Sequence, residues 1–211
     1  MNVLIGCEES QIICKAFRAL GHNAYSCDLV PCSGGHPEWH IISDVLSVAD
    51  GCCTFETESG SINILLDSWD LIILHPPCTY LSNAGAGSLF PGGNLNMQRY
   101  FCGLLARDFF YSCLNVDCPR ICVENPTPSR IYELPACSQI IQPYYFGEPF
   151  SKRTLLWLVG LPPLFSTSII LDYESTTTAA WFNKGGKSRQ CNRSKTFPGI
   201  AAAMAAQWGS L

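Results

Sequence analysis

The chain is poor in charge. Asp, Glu, Lys and Arg make up 14% of its 211 residues, and its 13 Lys and Arg are outnumbered by 17 Asp and Glu, giving a net charge of −4. That balance excludes a globally basic surface, so a nucleic-acid partner would have to be held by a local cluster of cations. No Cys-x-x-Cys pair occurs despite 13 cysteines, which argues against a zinc ribbon, and the odd count argues against a fully paired disulfide set. No run approaches the roughly 18 apolar residues that span a bilayer; the longest candidates lie near 71–74 and 155–164. The opening MNVLIGCEES has no basic segment ahead of an apolar one, as a secretory signal would. The expectation is a cytoplasmic protein with no membrane partner, reduced thiols, and most cysteines serving as small buried apolar residues.

What is present is an ample apolar content, 47%, without internal repeats or low-complexity tracts. The length fits one domain over residues 1–211. Val3-Leu4-Ile5-Gly6 reads as a strand, followed by Cys7-Glu8-Glu9-Ser10 and a helical pattern at Ile12, Ile13, Ala16, Phe17 and Leu20 that stops at Gly21. Glu9 and Ser10 also suit caps of that helix. Residues 24–28 form a second strand ending on Asp28, and Asp44-Val45-Leu46 follow the apolar pair Ile41-Ile42. This β-α-β order requires a right-handed crossover and a parallel sheet. Residues 69–74 read as a buried strand ending at His75-Pro76-Pro77-Cys78, and residues 120–123 as one ending at Glu124-Asn125-Pro126. Between them, residues 82–96 read as a mobile Gly-rich loop and 97–114 as a helix; residues 140–145 and 154–159 suit late strands and 200–208 a closing helix. The fold class is therefore α/β, a Rossmann-like doubly wound sheet.

Chemistry-bearing residues gather at strand ends, where open α/β sheets bind ligands. Asp28 stands 22 residues beyond Gly6, close to the spacing at which an acid grips ribose hydroxyls. Gly6 is the only glycine of its turn, so a pyrophosphate cradle is not indicated and a nucleoside-like cofactor without phosphates, such as S-adenosylmethionine, fits better. Cys32, His36 and His40 lie at i, i+4 and i+8, but Gly34-Gly35 and Pro37 break any helix that would align them as metal ligands, so no metal is expected. Lys184, Lys187, Arg189, Arg193 and Lys195 form a dense cationic cluster, readable as a solvated loop or as a phosphate-binding patch.

These motifs together resemble the DNA cytosine-5 methyltransferases, and most closely their short, phage-type members. Pro77-Cys78 matches the family's nucleophile loop and Glu124-Asn125-Pro126 its Glu-Asn strand end. Residues 146–154 running into Val159-Gly160 resemble its arginine motif, Lys195-Thr196-Phe197-Pro198-Gly199-Ile200-Ala201 its last motif, and Ser26-Cys27-Asp28-Leu29, residues 31–40 and residues 75–82 the phage-type pattern. The resemblance implies a sheet of the S-adenosylmethionine-dependent methyltransferase type. It implies transfer of a methyl or related group from S-adenosylmethionine, or a sulfonium derivative of it, to C5 of cytosine in DNA. Cys78 is then the nucleophile that adds to C6, Glu124 the acid at N3, and Lys152 and Arg153 the cations that steady the base or its phosphate. Gly6, Cys7, Glu8, Ser10, Asp28, Leu29, Asp44, Val45 and Pro76 are the implied cofactor contacts, and residues 82–96 would close over a flipped nucleotide.

The chain departs from the family at several positions. It lacks the family's Phe-x-Gly-x-Gly turn, carries Lys152 and Thr154 where two arginines are expected, and has Phe150 in place of Gln. Residues 161–195 leave room only for a reduced target-recognition region, which implies low sequence specificity or a helper subunit. Two alternatives stay open: the same chemistry on a free cytidine nucleotide, and a non-catalytic nucleic-acid-binding protein that keeps the fold. No residue in these motifs is assigned to removing the C5 proton.

Overall fold

In the computed structural model, which describes residues 1–50, 54–64, 68–176 and 195–211, a seven-stranded sheet is flanked by helices on both faces. The strands are β1 (Asn2–Gly6), β2 (Asn23–Asp28), β3 (His40–Ile42), β6 (Leu71–Leu74), β7 (Ile121–Pro126), β8 (Gln139–Ile141) and β10 (Thr154–Val159). Their order across the sheet is β3-β2-β1-β6-β7-β10-β8. The first five run parallel, and β10 is antiparallel to both β7 and β8. The architecture is mixed α/β with a mostly parallel central sheet, compatible with a Rossmann-like fold.

Alternation along the strands explains the two layers of core. Val3, Ile5, Leu71 and Ile73 face one side, where they pack with α1 (Ile12–Ala19) and α5 (Pro198–Trp208) through Ile13, Phe17, Met204 and Trp208. Leu4, Ile72 and Leu74 face the other side, against α2 (Val45–Ala49) and α4 (Met97–Leu114) through Val48, Phe110 and Cys113, with Trp69 beside them. Strands covered on both faces read as continuous apolar runs, which is why residues 71–74 stood out in the sequence.

Three segments differ from the sequence expectation. Residues 82–96 are not an open loop. They form 3₁₀ turns at Asn83–Gly85 and Pro91–Gly93 around the one-turn helix α3 (Ala86–Leu89), and Leu89 is buried. The late strand stops at Ile141, because Pro143 has no N–H for the ladder and starts a 3₁₀ turn instead. Residues 47–68, polar and mixed in sequence, take in the end of α2 and, among the described residues, a hairpin of β4 (Thr54–Glu56) and β5 (Ile62–Ile64). Residues 161–176 lie along residues 143–151: Ile170 N–H donates to the Tyr144 carbonyl at 2.8 Å, and β11 (Glu174–Ser175) pairs with β9 (Phe150–Ser151).

Of the ten described cysteines, Cys14, Cys27, Cys113 and Cys122 are buried and six are half-buried, so the thiols are less uniformly internal than expected. Among the described residues no helix is long and apolar enough to cross a membrane.

Candidate active site

The chain leaves β1 for β2 on one side and later returns to β6 on the other, so the carboxyl ends of β1 and β6 flank a crevice. β6 and β7 are parallel neighbours with Leu74 opposite Val123. His75, just past the end of β6, therefore stands beside Glu124 within β7, and the two side chains meet: His75 Nδ1 lies 3.0 Å from Glu124 Oε2. One residue further on, Asn125 Nδ2 donates to the Pro76 carbonyl at 2.8 Å. The loop carrying Cys78 is thus fixed to the strand end carrying Glu124. Ser129 N–H donating to Leu81 O and Asn83 N–H donating to Thr127 O extend that tie.

Two adjoining cavities open at this edge of the sheet. The first is small, about 10 Å³, and is lined by His75, Glu124, Lys152, Thr154, Thr196, Phe197, Ile200 and Met204. The second, about 40 Å³, is lined by Cys7, Glu8, Glu9 and Ser10 of the β1–α1 turn together with His75, Lys195 and Thr196. His75 and Thr196 border both. The final helix reaches the site because Gly199 lets the first turn of α5 approach the Phe146 carbonyl, with Glu148 accepting the Gly199 N–H at 3.1 Å.

The electrostatics differ between the two carboxylates. Burial by itself would raise the Glu124 carboxyl, but the His75 hydrogen bond and the nearby Lys152 charge outweigh it and hold Glu124 below the ordinary carboxylate range. Burial dominates at Glu8, which is 5% exposed. It is pushed up to about 7, although the nearby His75 and the α1 amides favour its charged form. Its Oε1 accepts from Ile13 N–H at 2.7 Å and Oε2 from Cys14 N–H at 3.3 Å, so Glu8, rather than Glu9 or Ser10, satisfies the amino end of α1. Cys7, at φ 58°, sits beside Asp28 and Asp44; burial, with those charges adding, pushes its thiol upward.

The remaining expected cofactor contacts divide into two groups. Ser10 is buried on the wall of the second cavity. Asp28 closes β2, and its Oδ1 accepts from Leu29 N–H at 2.7 Å and Val30 N–H at 3.4 Å; burial raises its carboxyl. Leu29 is exposed, while Asp44 caps α2 through Leu46 N–H at 3.1 Å. Gly6 and Val45 belong to the packing: a Cβ at Gly6 would strike Val45 and Leu74, so glycine there permits the close approach of α2 and β6 to the end of β1. Pro76 is buried and contributes its carbonyl to Asn125.

Of the four expected catalytic residues, Glu124 and Lys152 share the first cavity; Arg153 is exposed and, like the half-buried Cys78, lies outside the walls of both. Lys184, Lys187, Arg189 and Arg193 lie outside the described residues, and Lys195 lines the second cavity. His40 is fully buried with Nδ1 2.8 Å from Ser26 Oγ and Nε2 2.9 Å from the Val30 carbonyl, so both ring nitrogens are engaged by protein atoms. His36 stacks on Trp39, with ring centroids 3.8 Å apart.

Sequence reasoning missed His75, Asn125, Thr154 and Thr196 as members of the site. His75 had a usable signal: if the strands before residues 75 and 124 are neighbours in register, their next residues must stand side by side. The chain matches no model of a known protein family and no curated protein.

Proposed function

We propose that this protein is an S-adenosylmethionine-dependent DNA cytosine-C5 methyltransferase with a sheet of the methyltransferase type. The observation that supports this most is the Asn125–Pro76 hydrogen bond, which fastens the Pro-Pro-Cys loop to the strand end bearing Glu124. The thiol and the acid that the chemistry requires thus stand on adjoining, mutually fixed segments.

The cofactor is assigned to the β1–α1 turn beside the second cavity, where a lone glycine provides no pyrophosphate cradle; Asp28, at the end of β2 and outside that cavity's lining, retains Oδ2 for a ribose hydroxyl. When bound, the cofactor supplies a methyl group made electrophilic by its sulfonium. Cys78 adds as thiolate to C6 of cytosine, and the C5–C6 electron pair moves toward C5. The proton given up by the thiol is held between Glu124 and N3, where negative charge would otherwise accumulate. C5 then takes the methyl group. Loss of the N3 and C5 protons with rupture of the C6–S bond restores the aromatic ring and the thiol. The His75 hydrogen bond, with the nearby Lys152 charge, keeps the Glu124 carboxylate charged and available to the base. The reading carries with it a reducing compartment such as the cytoplasm, since Cys78 must remain a thiol.

Incubation with S-adenosylmethionine and duplex DNA containing 5-fluorocytosine tests the proposal, because fluorine at C5 cannot leave as a proton. A denaturation-stable complex through Cys78, absent from Cys78→Ser, is the expected result. No complex with duplex DNA, single strands or dCMP would overturn it; a complex with dCMP alone would move the activity to free nucleotides.

A further inference from the structure

His75, with Thr196, borders both cavities. Its side chain is 10% exposed, Nδ1 faces Glu124 at 3.0 Å, and Nε2 is buried with no hydrogen-bond partner among the described residues. A carboxylate can only accept, so Nδ1 must carry a proton toward Glu124. In the neutral ring the lone pair then sits on Nε2. A carboxylate that fixes the tautomer of a histidine, while the opposite nitrogen stays without a partner on a ring that lines both cavities, is the arrangement of an oriented general base.

We infer that His75, through Nε2, is the base that removes the C5 proton of the methylated adduct. This rests on the methyltransferase reading and assigns the step which that reading leaves without a residue. The C5–H electron pair forms the C5–C6 double bond, the C6–S pair returns to Cys78 as thiolate, and the proton moves to Nε2. The resulting imidazolium is flanked by Glu124 from β7 and by Glu8 from the β1–α1 turn; both are near enough for electrostatic interaction with the ring, and Lys152 is the cation that also acts on Glu124. Glu124 thereby serves the base with one oxygen and the histidine with the other. The proton leaves to solvent through the open mouth of the cavity.

His75→Asn separates this role from packing, because the Asn amide can still donate to Glu124 from the place of Nδ1 while Nε2 is removed. With ordinary cytosine DNA and S-adenosylmethionine, the variant should release product at least about 10²-fold more slowly than wild type. It should also accumulate a denaturation-stable, methylated Cys78 complex that wild type does not, since methyl transfer proceeds and elimination stalls. Turnover within tenfold of wild type overturns the assignment. So does slow turnover with no accumulated complex in a variant that still traps on 5-fluorocytosine DNA. His75→Gln serves if the Asn variant does not fold. If wild type itself fails to trap on 5-fluorocytosine, the methyltransferase reading falls first, so the two failures are distinguishable. Nitrogen-15 spectra of the histidine ring supply a readout independent of activity: neutral His75 should carry its proton on Nδ1, and the opposite tautomer would overturn the proposal.

Discussion

Asn125 and Pro76 are 49 positions apart in the chain and joined by a buried 2.8 Å hydrogen bond from the amide Nδ2 to the proline carbonyl. Asn125 is 1% exposed and its Oδ1 has no partner among the described residues, so this amide holds the loop through its donor. Replacing it with Ala leaves the Pro76 carbonyl unsatisfied and should lower stability by about 1–3 kcal/mol. It should also slow adduct formation on 5-fluorocytosine DNA by loosening the Cys78 loop. Thermal unfolding and trapping rates check both; an unchanged trapping rate would detach this bond from the chemistry.

Glu8 gives the fold a pH dependence. Its carboxyl is raised by burial to about 7 in the folded protein, against 4.5 for an ordinary glutamate. The folded state therefore binds the proton more tightly than the unfolded chain. The associated stability is fully present below about pH 4.5 and is lost as pH rises through about 7. The whole effect is on the order of 3 kcal/mol. Glu8→Gln, which keeps an acceptor for the Ile13 amide while its NH2 takes the place of the oxygen that meets Cys14, should flatten the decline in denaturant midpoint between those pH values. A variant that declines as steeply as wild type would assign the titration elsewhere.

Asp28→Ala should weaken S-adenosylmethionine binding by about 1–3 kcal/mol through loss of a charge-assisted hydrogen bond to ribose. Asp44 behaves differently because it caps α2. Its Ala variant should cost about 1 kcal/mol of stability while Asn retains the cap, with calorimetric affinity close to wild type in both. Unchanged affinity on Asp28→Ala would remove that acid from the site.

The cationic cluster provides a salt-dependence test. Neutralising two of Lys184, Lys187, Arg189 and Arg193 should reduce DNA affinity and flatten the slope of log K against log salt by roughly 2, at about 0.9 per phosphate contact. Activity on dCMP, if present, should be retained. Lys195 belongs with the second cavity, so its replacement should act on cofactor affinity instead. An unaltered slope would return the four cations to the role of a solvated loop.

Much of this molecule was legible without coordinates, because local rules decide it. The apolar run of residues 71–74, the helical spacing of residues 12–20 and the strand ends at Asp28 and Glu124 follow from periodicity and turn chemistry, which act within a few residues. Sequence order alone also made the sheet parallel at its start. What tertiary structure decided was every relationship across strands. His75 faces Glu124 only because β6 and β7 are neighbours in one register, and a shift of one residue would send Glu124 to the other face. Glu8 reads as a ligand-binding acid in the sequence, yet both its oxygens serve the amino end of α1, because the turn after Gly6 buries that carboxylate beneath the helix. Gly6 itself is demanded by the side chains of Val45 and Leu74, residues far along the chain whose closeness only packing creates.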